Sequence, residues 1–377
     1  MPDFLCYPSR IFSYPFRNFM FTKILRSVFL GFVVAIILLI AVPSLRPAGL
    51  FSLFKTASFE ESPVSYNSAV KRAAPAVVNV YNGSMSNNGQ GNNGLAIKTL
   101  GSGVIMDSKG YILTNKHVVS GADQIVVALQ DGRVFEAMLV GSDTLTDLAV
   151  LKIEATNLPV ITINPSRVPH IGDVVLAIGN PYNIGQTTTQ GIISATGRVG
   201  LSTYGHQNFL QTDASINHGN SGGALVNTLG ELVGINTLSL DKSNDGETPE
   251  GIGFAIPTAL SSKIMAKLIR DGRVIRGFIG VSGREIAPAR NQPQANAMER
   301  IQGIIVRDVA ANGPAANAGI QPGDIVLNVD GKPAVSAAET MDQVAEIRPG
   351  TVVPVIIMRN GERMTLSVTI EEFPNVD

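Results

Sequence analysis

Ser221 sits in "INHGNSGGALVN", residues 216 to 227, with glycines at 219, 222 and 223. A serine hydroxyl is a poor nucleophile unless a base takes its proton as it attacks. The base must be held in one tautomer, and preorganised N–H groups must receive the oxyanion. Glycines on both sides let the chain turn successive N–H groups into one concavity, with Gly219 and Ser221 the expected donors. The same string also suits a plain tight turn, so residues elsewhere must decide.

The four histidines are His117, His170, His206 and His218, and all precede Ser221. An α/β-hydrolase elbow needs its acid and histidine after the serine. A subtilisin order needs the acid before the histidine on an α/β scaffold. What remains is the order His, Asp, Ser, which belongs to proteases built from two β-barrels. His117 ends a strand-like run in "GYILTNKHVVSG", and Asp147 heads an apolar strand in "SDTLTDLAVLKI". A part-buried carboxylate there needs a partner, and the imidazole N–H of His117 supplies one. His218 is too near Ser221 along the chain, and His170 follows Pro169 as a turn residue; Asp143 is the fallback for Asp147. Asn220 is neutral and cannot receive a freed amino terminus as an ion pair, so any activation is expected to be conformational. Ile235, Asn236, Thr237 and Leu238 form an expected substrate-pocket wall without an acid, which predicts a small aliphatic residue before the cut.

Around these residues the chain reads as β-rich. Short runs such as "AVVNVY", "LAVLKI", "DVVLAIG" and "ELVGINTL" are punctuated by Gly, Asn or Asp, as in antiparallel barrels rather than βαβ units. Residues 82 to 94 and 241 to 251 are polar and glycine-rich and predict loops. The second begins like a calcium loop, but its twelfth position is Ile252 rather than a bidentate Glu. Residues 257 to 271 switch to helical period, with Thr258 as a cap and Gly272 as the stop. A second β-rich unit follows from Arg276.

The amino terminus carries Arg10, Arg17, Lys23 and Arg26 before "VFLGFVVAIILLIAV", residues 28 to 42. Twelve of those fifteen are Val, Leu, Ile or Phe, worth about −4 to −7 kcal/mol on insertion into a bilayer. Pro43 stands where a signal-peptidase site would be wanted, so a retained transmembrane helix with its basic end in the cytoplasm is expected. Domains are expected at 1–45 (cytoplasmic terminus and anchor), 46–68 (tether), 69–272 and 273–377. A net charge of −1 gives no nucleic-acid surface. The lone Cys6 gives neither disulfide nor thiolate metal site, and HExxH is absent, so no metal or cofactor is expected.

"GSGVIMDSKGYILTNKHVV", "TDLAVLKI", "IGDVVLAIGNPYNIGQTTTQGIISATGR", "LQTDASINHGNSGGALVNTLGELVGINTL" and "EGIGFAIP" together resemble the HtrA family of serine proteases. "GFIGV", residues 277 to 281, and the later "GPAANAGIQPGDIVLNVDGKPA" resemble a PDZ domain. The resemblance implies a mainly β chain: a trypsin-like double β-barrel, then a PDZ domain, behind a transmembrane helix. It implies a triad of His117, Asp147 and Ser221, with Arg198 in the loop that relays activation. Backbone N–H groups around Phe278, Ile279, Gly280 and Val281 would hold a peptide carboxylate. The anchor and single PDZ domain further imply a homotrimer on the bacterial inner membrane, facing the periplasm. Carboxy-terminal peptides of misfolded outer-membrane proteins would activate it to cut the periplasmic domain of a membrane anti-sigma factor. A general periplasmic quality-control protease or chaperone is the alternative. Met20 opens "MFTKILRSVFL", already a basic cap before the apolar run, and is an expected second start. Intact mass of the native protein tests this: a mass beginning at Met20 is expected, and a peptide covering Arg10–Arg17 would refute it.

Overall fold

The computed structural model describes residues 18–41, 65–86, 94–181, 184–198, 209–237, 251–286 and 302–374. The chain divides into two units, Met1–Ser65 and Tyr66–Asp377. In the first, helix α1 spans Asn18–Ala41. Its side chains are described from residue 22 to 38 and are exposed, Phe29 at 71% and Phe32 at 69% among them. Among the described residues no helix is long and apolar enough to cross a membrane. The expected tether up to residue 64, most of the 241–251 loop and Leu238 lie outside the described residues.

The second unit opens with α2 (Asn67–Ala73) and continues into two closed six-stranded barrels. The first contains β1 (Val77–Ser86), β2 (Gly94–Ile105), β3 (Tyr111–Asn115), β4 (Gln124–Ala128), β5 (Val134–Asp143) and β6 (Leu148–Lys152). The second contains β7 (Val174–Gly179), β8 (Thr187–Arg198), β9 (Phe209–Thr212), β10 (Ala224–Asn227), β11 (Leu232–Thr237) and β12 (Gly253–Pro257). A short turn of helix, α3 (Lys116–Val119), follows β3.

Side chains alternate along a strand, so a strand with one buried face shows every second residue apolar. β6 instead reads "LAVL" without a break, because both of its faces are buried. Ala149 and Leu151 fill the first barrel, while Leu148 and Val150 join a second cluster with Leu113, Leu176, Ile178, Val226, Ile235 and Ile256. β7 and β10 divide in the same way, with Val175, Ala177 and Leu225 inside the second barrel. The uninterrupted apolar runs therefore mark the seam where the barrels meet. Each fully buried aliphatic side chain there contributes about 1.5–3 kcal/mol.

Helix α4 (Thr258–Asp271) covers this seam with Ile264, Met265 and Leu268, and Gly272 ends it at φ 72° by donating its N–H to the Leu268 carbonyl. Thr258 does not cap α4. It is the first helical residue, and its hydroxyl donates to the Leu232 carbonyl 3.0 Å away. Part of the loop expected over 82–94 is strand, since β1 pairs with β2 out to Ser86 and Gly94. Asn82, at its start, is fully buried and donates Nδ2 to the Val118 and Ser120 carbonyls at 3.1 Å, a partnering that a polar local pattern does not reveal.

The carboxy-terminal fold contains β13 (Gly277–Phe278), β14 (Val281–Glu285), β15 (Ile304–Val309), β16 (Ile325–Val329), β17 (Lys332–Pro333), β18 (Val352–Arg359), β19 (Glu362–Thr369) and β20 (Glu371–Glu372). Six strands form one sheet, in the order β14-β15-β16-β18-β19 with β17 paired to β16, so β14 is an edge. Helices α5 (Pro314–Asn317) and α6 (Ala337–Ala345) accompany it. Val306, Val355, Ile357 and Val368 make its core.

Asp324 is buried in this domain, and Arg359 grips both its oxygens at 2.7 Å. Burial pushes the carboxyl up, but Arg359 and the Gln321 N–H outweigh it and hold Asp324 below its ordinary value of 3.8. The sign follows from linkage: the pairing stabilises the fold above that value and is lost as pH falls through the lower, folded one. Arg359→Met should cost about 3–5 kcal/mol at neutral pH, because it strands a buried charge. Acidification towards pH 4 should then stabilise the variant relative to the parent. Denaturant melts across that range check both; a variant melting like the parent at pH 7 would contradict them.

Candidate active site

The loops leaving β3, entering β6 and entering β10 meet at the seam. β3 ends at Asn115, and α3 then carries His117. Asp147 stands just before β6 in the left-handed region, φ 53°, and four donors hold it there. Its carbonyl accepts from Lys116 N–H at 2.9 Å and from Asn115 Nδ2 at 3.0 Å. Its Oδ1 accepts from His117 N–H at 3.0 Å, and its Oδ2 from Thr237 Oγ1 at 3.3 Å. His117 Nδ1 lies 2.6 Å from Oδ2. An ionised carboxylate only accepts, so Nδ1 carries the ring proton and Nε2 keeps the lone pair.

The loop before β10 is closed by its own amide. Asn220 accepts the Asn217 N–H at its Oδ1, 3.1 Å, and donates Nδ2 to the Ser215 carbonyl at 3.3 Å. The buried, neutral Asn220 is thus satisfied by backbone. The Gly222 N–H donates to Asn236 O at 2.8 Å, and the Ser221 carbonyl accepts from Ser102 N–H at 2.8 Å. Among the described residues the N–H groups of Gly219 and Ser221 donate to nothing, nor does any hydrogen bond join the Ser221 hydroxyl to His117. Proximity is instead carried by the backbone. A Cβ at Gly222 would lie 2.2 Å from Ser102 O, 2.4 Å from Thr114 Oγ1 and 3.2 Å from Asn115 N, the residue from which α3 starts.

Asp143 does not face the histidine. Arg276 binds both its oxygens at 2.7 Å, and Thr146 donates its N–H and hydroxyl to Oδ2. Burial pushes this carboxyl up, but Arg276 and Thr146 outweigh it and hold it below the usual range. The Asp143–Thr146 turn leads directly into Asp147, so a residue beside the carboxy-terminal domain shapes the loop that carries the acid. Ile235 and Asn236, expected on the substrate-pocket wall, lie on β11. Both are fully buried, Ile235 in the seam cluster and Asn236 donating Nδ2 to the Ala224 carbonyl at 3.1 Å. β11 passes under the serine loop, which turns these side chains inward. Thr237 reaches Asp147 as described. Arg198 ends β8 opposite Phe209, and its side chain lies outside the described residues.

Sequence reading assigned no role to Ser102, Thr114 or Arg276. Ser102 donates Oγ to the Gly219 carbonyl at 2.8 Å, receives the Asn180 N–H at 3.0 Å, and accepts Thr114 Oγ1 at its carbonyl, 2.7 Å. Only the short "GSG" string hinted at it, since glycines on both sides mark a strand that something approaches closely.

In the carboxy-terminal domain, a cavity of about 180 Å³ lies between β14 and α6, lined by Ile279, Val281, Ile304, Thr340, Met341 and Val344. The N–H groups of Ile279 and Gly280 donate to nothing among the described residues, while their carbonyls hold Ala315 and Ala310. The Phe278 ring stacks edge-on against Phe373, with centroids 5.4 Å apart. An open strand edge beside an apolar pocket is the geometry by which an extended peptide adds to a sheet.

Gly222, at φ 82° with backbone on its Cβ side, tests the packing of the serine loop. Gly222→Ala should destabilise by at least about 2 kcal/mol in a urea melt, from strain alone; a change under about 0.5 kcal/mol would contradict the described geometry.

Residues 101–235 match the trypsin-like peptidase domain, and residues 277–370 match the PDZ domain. The chain is 69% identical over 356 residues to the serine endoprotease DegS of Escherichia coli (strain K12), covering 94% of this chain and 99% of that protein. The crystal structure of the serine endoprotease from Yersinia pestis matches with a TM-score of 0.68 and 64% identity, over 83% of this chain and all of that one, 100%. The HtrA-type protease AlgW with tripeptide matches with a TM-score of 0.73 and 48% identity, over 83% of this chain and 99% of that one. With two matching domains in the same order and identity along nearly its whole length, the chain belongs to the HtrA family of serine endoproteases.

Proposed function

We propose that Ser221 is the nucleophile, His117 its general base and Asp147 the group that fixes the base. The observation that carries this is the His117–Asp147 pair, 2.6 Å apart, on a loop whose starting residue backs onto the glycine after Ser221. Nε2 of His117 takes the hydroxyl proton as Ser221 attacks the scissile carbonyl, and returns it to the leaving amine. The N–H groups of Gly219 and Ser221 receive the oxyanion. Asp147→Asn should lower kcat by about 10⁴-fold through the wrong histidine tautomer. Asp143→Asn loosens only the turn that leads to Asp147, so it should lower kcat far less than Asp147→Asn and leave Ser221 open to labelling by an organophosphonate. Equal losses in both variants would contradict the assignment.

We further propose a membrane-anchored homotrimer facing the periplasm, switched on when a free carboxy terminus occupies the β14–α6 groove. The proposed substrate is the periplasmic domain of a membrane anti-sigma factor, and the proposed activators are carboxy termini of misfolded outer-membrane proteins. Three observations support this reading. The described apolar side chains of α1, Ile24 to Leu38, are exposed, a surface that lipid would cover. Val168 and Leu229, 65% and 49% exposed, offer apolar surface for assembly. Arg276, which grips the Asp143 turn, stands two residues before Phe278, so a ligand on Phe278–Val281 sits close to the residue that shapes Asp147's loop. Hydrolysis of an anti-sigma-factor peptide with and without added carboxy-terminal peptides tests the switch. Acceleration that disappears when the peptide carboxylate is amidated is expected. Unchanged rates, together with faster hydrolysis of a denatured model protein, would favour the quality-control alternative.

A further inference from the structure

We infer that Ser102, on the first barrel, is a positioning residue for the oxyanion donors of the second, an inference that rests on the reading of Ser221 as nucleophile. Ser102 is fully buried, and all its polar groups are engaged. Its N–H holds the Ser221 carbonyl, and its hydroxyl holds the Gly219 carbonyl while receiving the Asn180 N–H. Two peptide planes of the serine loop, 219–220 and 221–222, are therefore pinned from the opposite barrel. The two donor N–H groups belong to the neighbouring planes, 218–219 and 220–221, so the pins bracket the Ser221 donor and the first of them adjoins the Gly219 donor.

The pinning matters because Gly219, at φ 106°, has no side chain to resist rotation. Without the hydroxyl, the 219–220 plane has no partner for its carbonyl and the loop can relax to other orientations of the donors. The flanking glycines permit this reach. A Cβ on Gly101 would meet Val118 Cγ1 at 2.5 Å, so only a bare backbone fits against the residue that follows His117. One tripeptide thus touches both the histidine turn and the serine loop. Through Asn180, whose Oδ1 receives the Gly185 N–H at 3.0 Å, the same hydroxyl also reaches the β7–β8 loop.

The test uses the full-length protein, with competent sites counted by an organophosphonate that labels Ser221. Ser102→Ala should lower kcat per titrated site by about 10–100-fold, a fraction of what losing an oxyanion donor outright costs, with KM within about 2-fold. A peptide boronate, whose tetrahedral oxygen occupies the oxyanion position, should bind more weakly by a similar factor. Ser102→Cys, nearly isosteric with a weaker donor, should fall between, and it decides the matter if the alanine variant does not fold. A parent-like kcat per titrated site, or a loss confined to KM or to the number of titratable sites, would overturn the inference. Labelling of the parent elsewhere than Ser221 would instead remove the nucleophile reading, and the inference with it.

Discussion

Two barrels that share one apolar seam can hold a base and a nucleophile in register only if neither barrel slides. Leu113, Leu148 and Val150 from the first meet Leu176, Ile178, Val226 and Ile235 from the second, and α4 covers the join. His117 and Asp147 stand at the ends of first-barrel strands, and Ser221 stands just before a second-barrel strand. Core packing is as dense as an organic crystal, so a shift at the seam moves these loops rather than being absorbed. Hydrogen bonds from Ser102, Thr114 and Asn115 then set what the apolar contact alone would leave loose.

The carboxy-terminal domain joins the same frame through ion pairs: Lys263 and Lys267 of α4 hold Glu346, and Arg276 holds Asp143. Arg276 closes on the buried Asp143 carboxylate, and the turn it shapes delivers Asp147. Such a pair is costly to break because it leaves a buried charge behind. The Phe278–Gly280 loop, proposed to bind a peptide carboxylate, begins two residues later, and the edge strand β14 continues from it. Arg276, which reaches the turn before Asp147, therefore stands two residues from Phe278 along the chain, although Asp143 itself is far away in sequence.

Much of this was legible in the sequence. The order of His117, Asp147 and Ser221 eliminated other serine-hydrolase scaffolds, and short apolar runs such as "LAVLKI" and "DVVLAIG" between turn residues pointed to barrel strands. Helix α4 was marked at its end by Gly272. What stayed hidden depends on partners far apart in the chain: Ser102 with Gly219, and Asp143 with Arg276. No local pattern shows that a serine in a strand will bond a carbonyl in another barrel. The burial of Ile235 and Asn236 was hidden for a related reason, since an apolar strand beside a serine loop can face the cleft or the seam, and its register with β12 lies outside the local pattern. Thr258 had a capping residue's type, but a nearby carbonyl on Leu232 claimed its hydroxyl.

The account stands on the serine loop presenting two backbone donors towards the attacked carbonyl, opposite the histidine. A crystal structure of the organophosphonate adduct addresses this directly. The account predicts a phosphoryl oxygen about 2.7–3.1 Å from the N–H groups of both Gly219 and Ser221, with His117 Nε2 on the far side of phosphorus and Ser102 still bonded to the Gly219 carbonyl. An adduct at Ser221 whose phosphoryl oxygen meets neither N–H, with His117 turned away from Asp147, would contradict it.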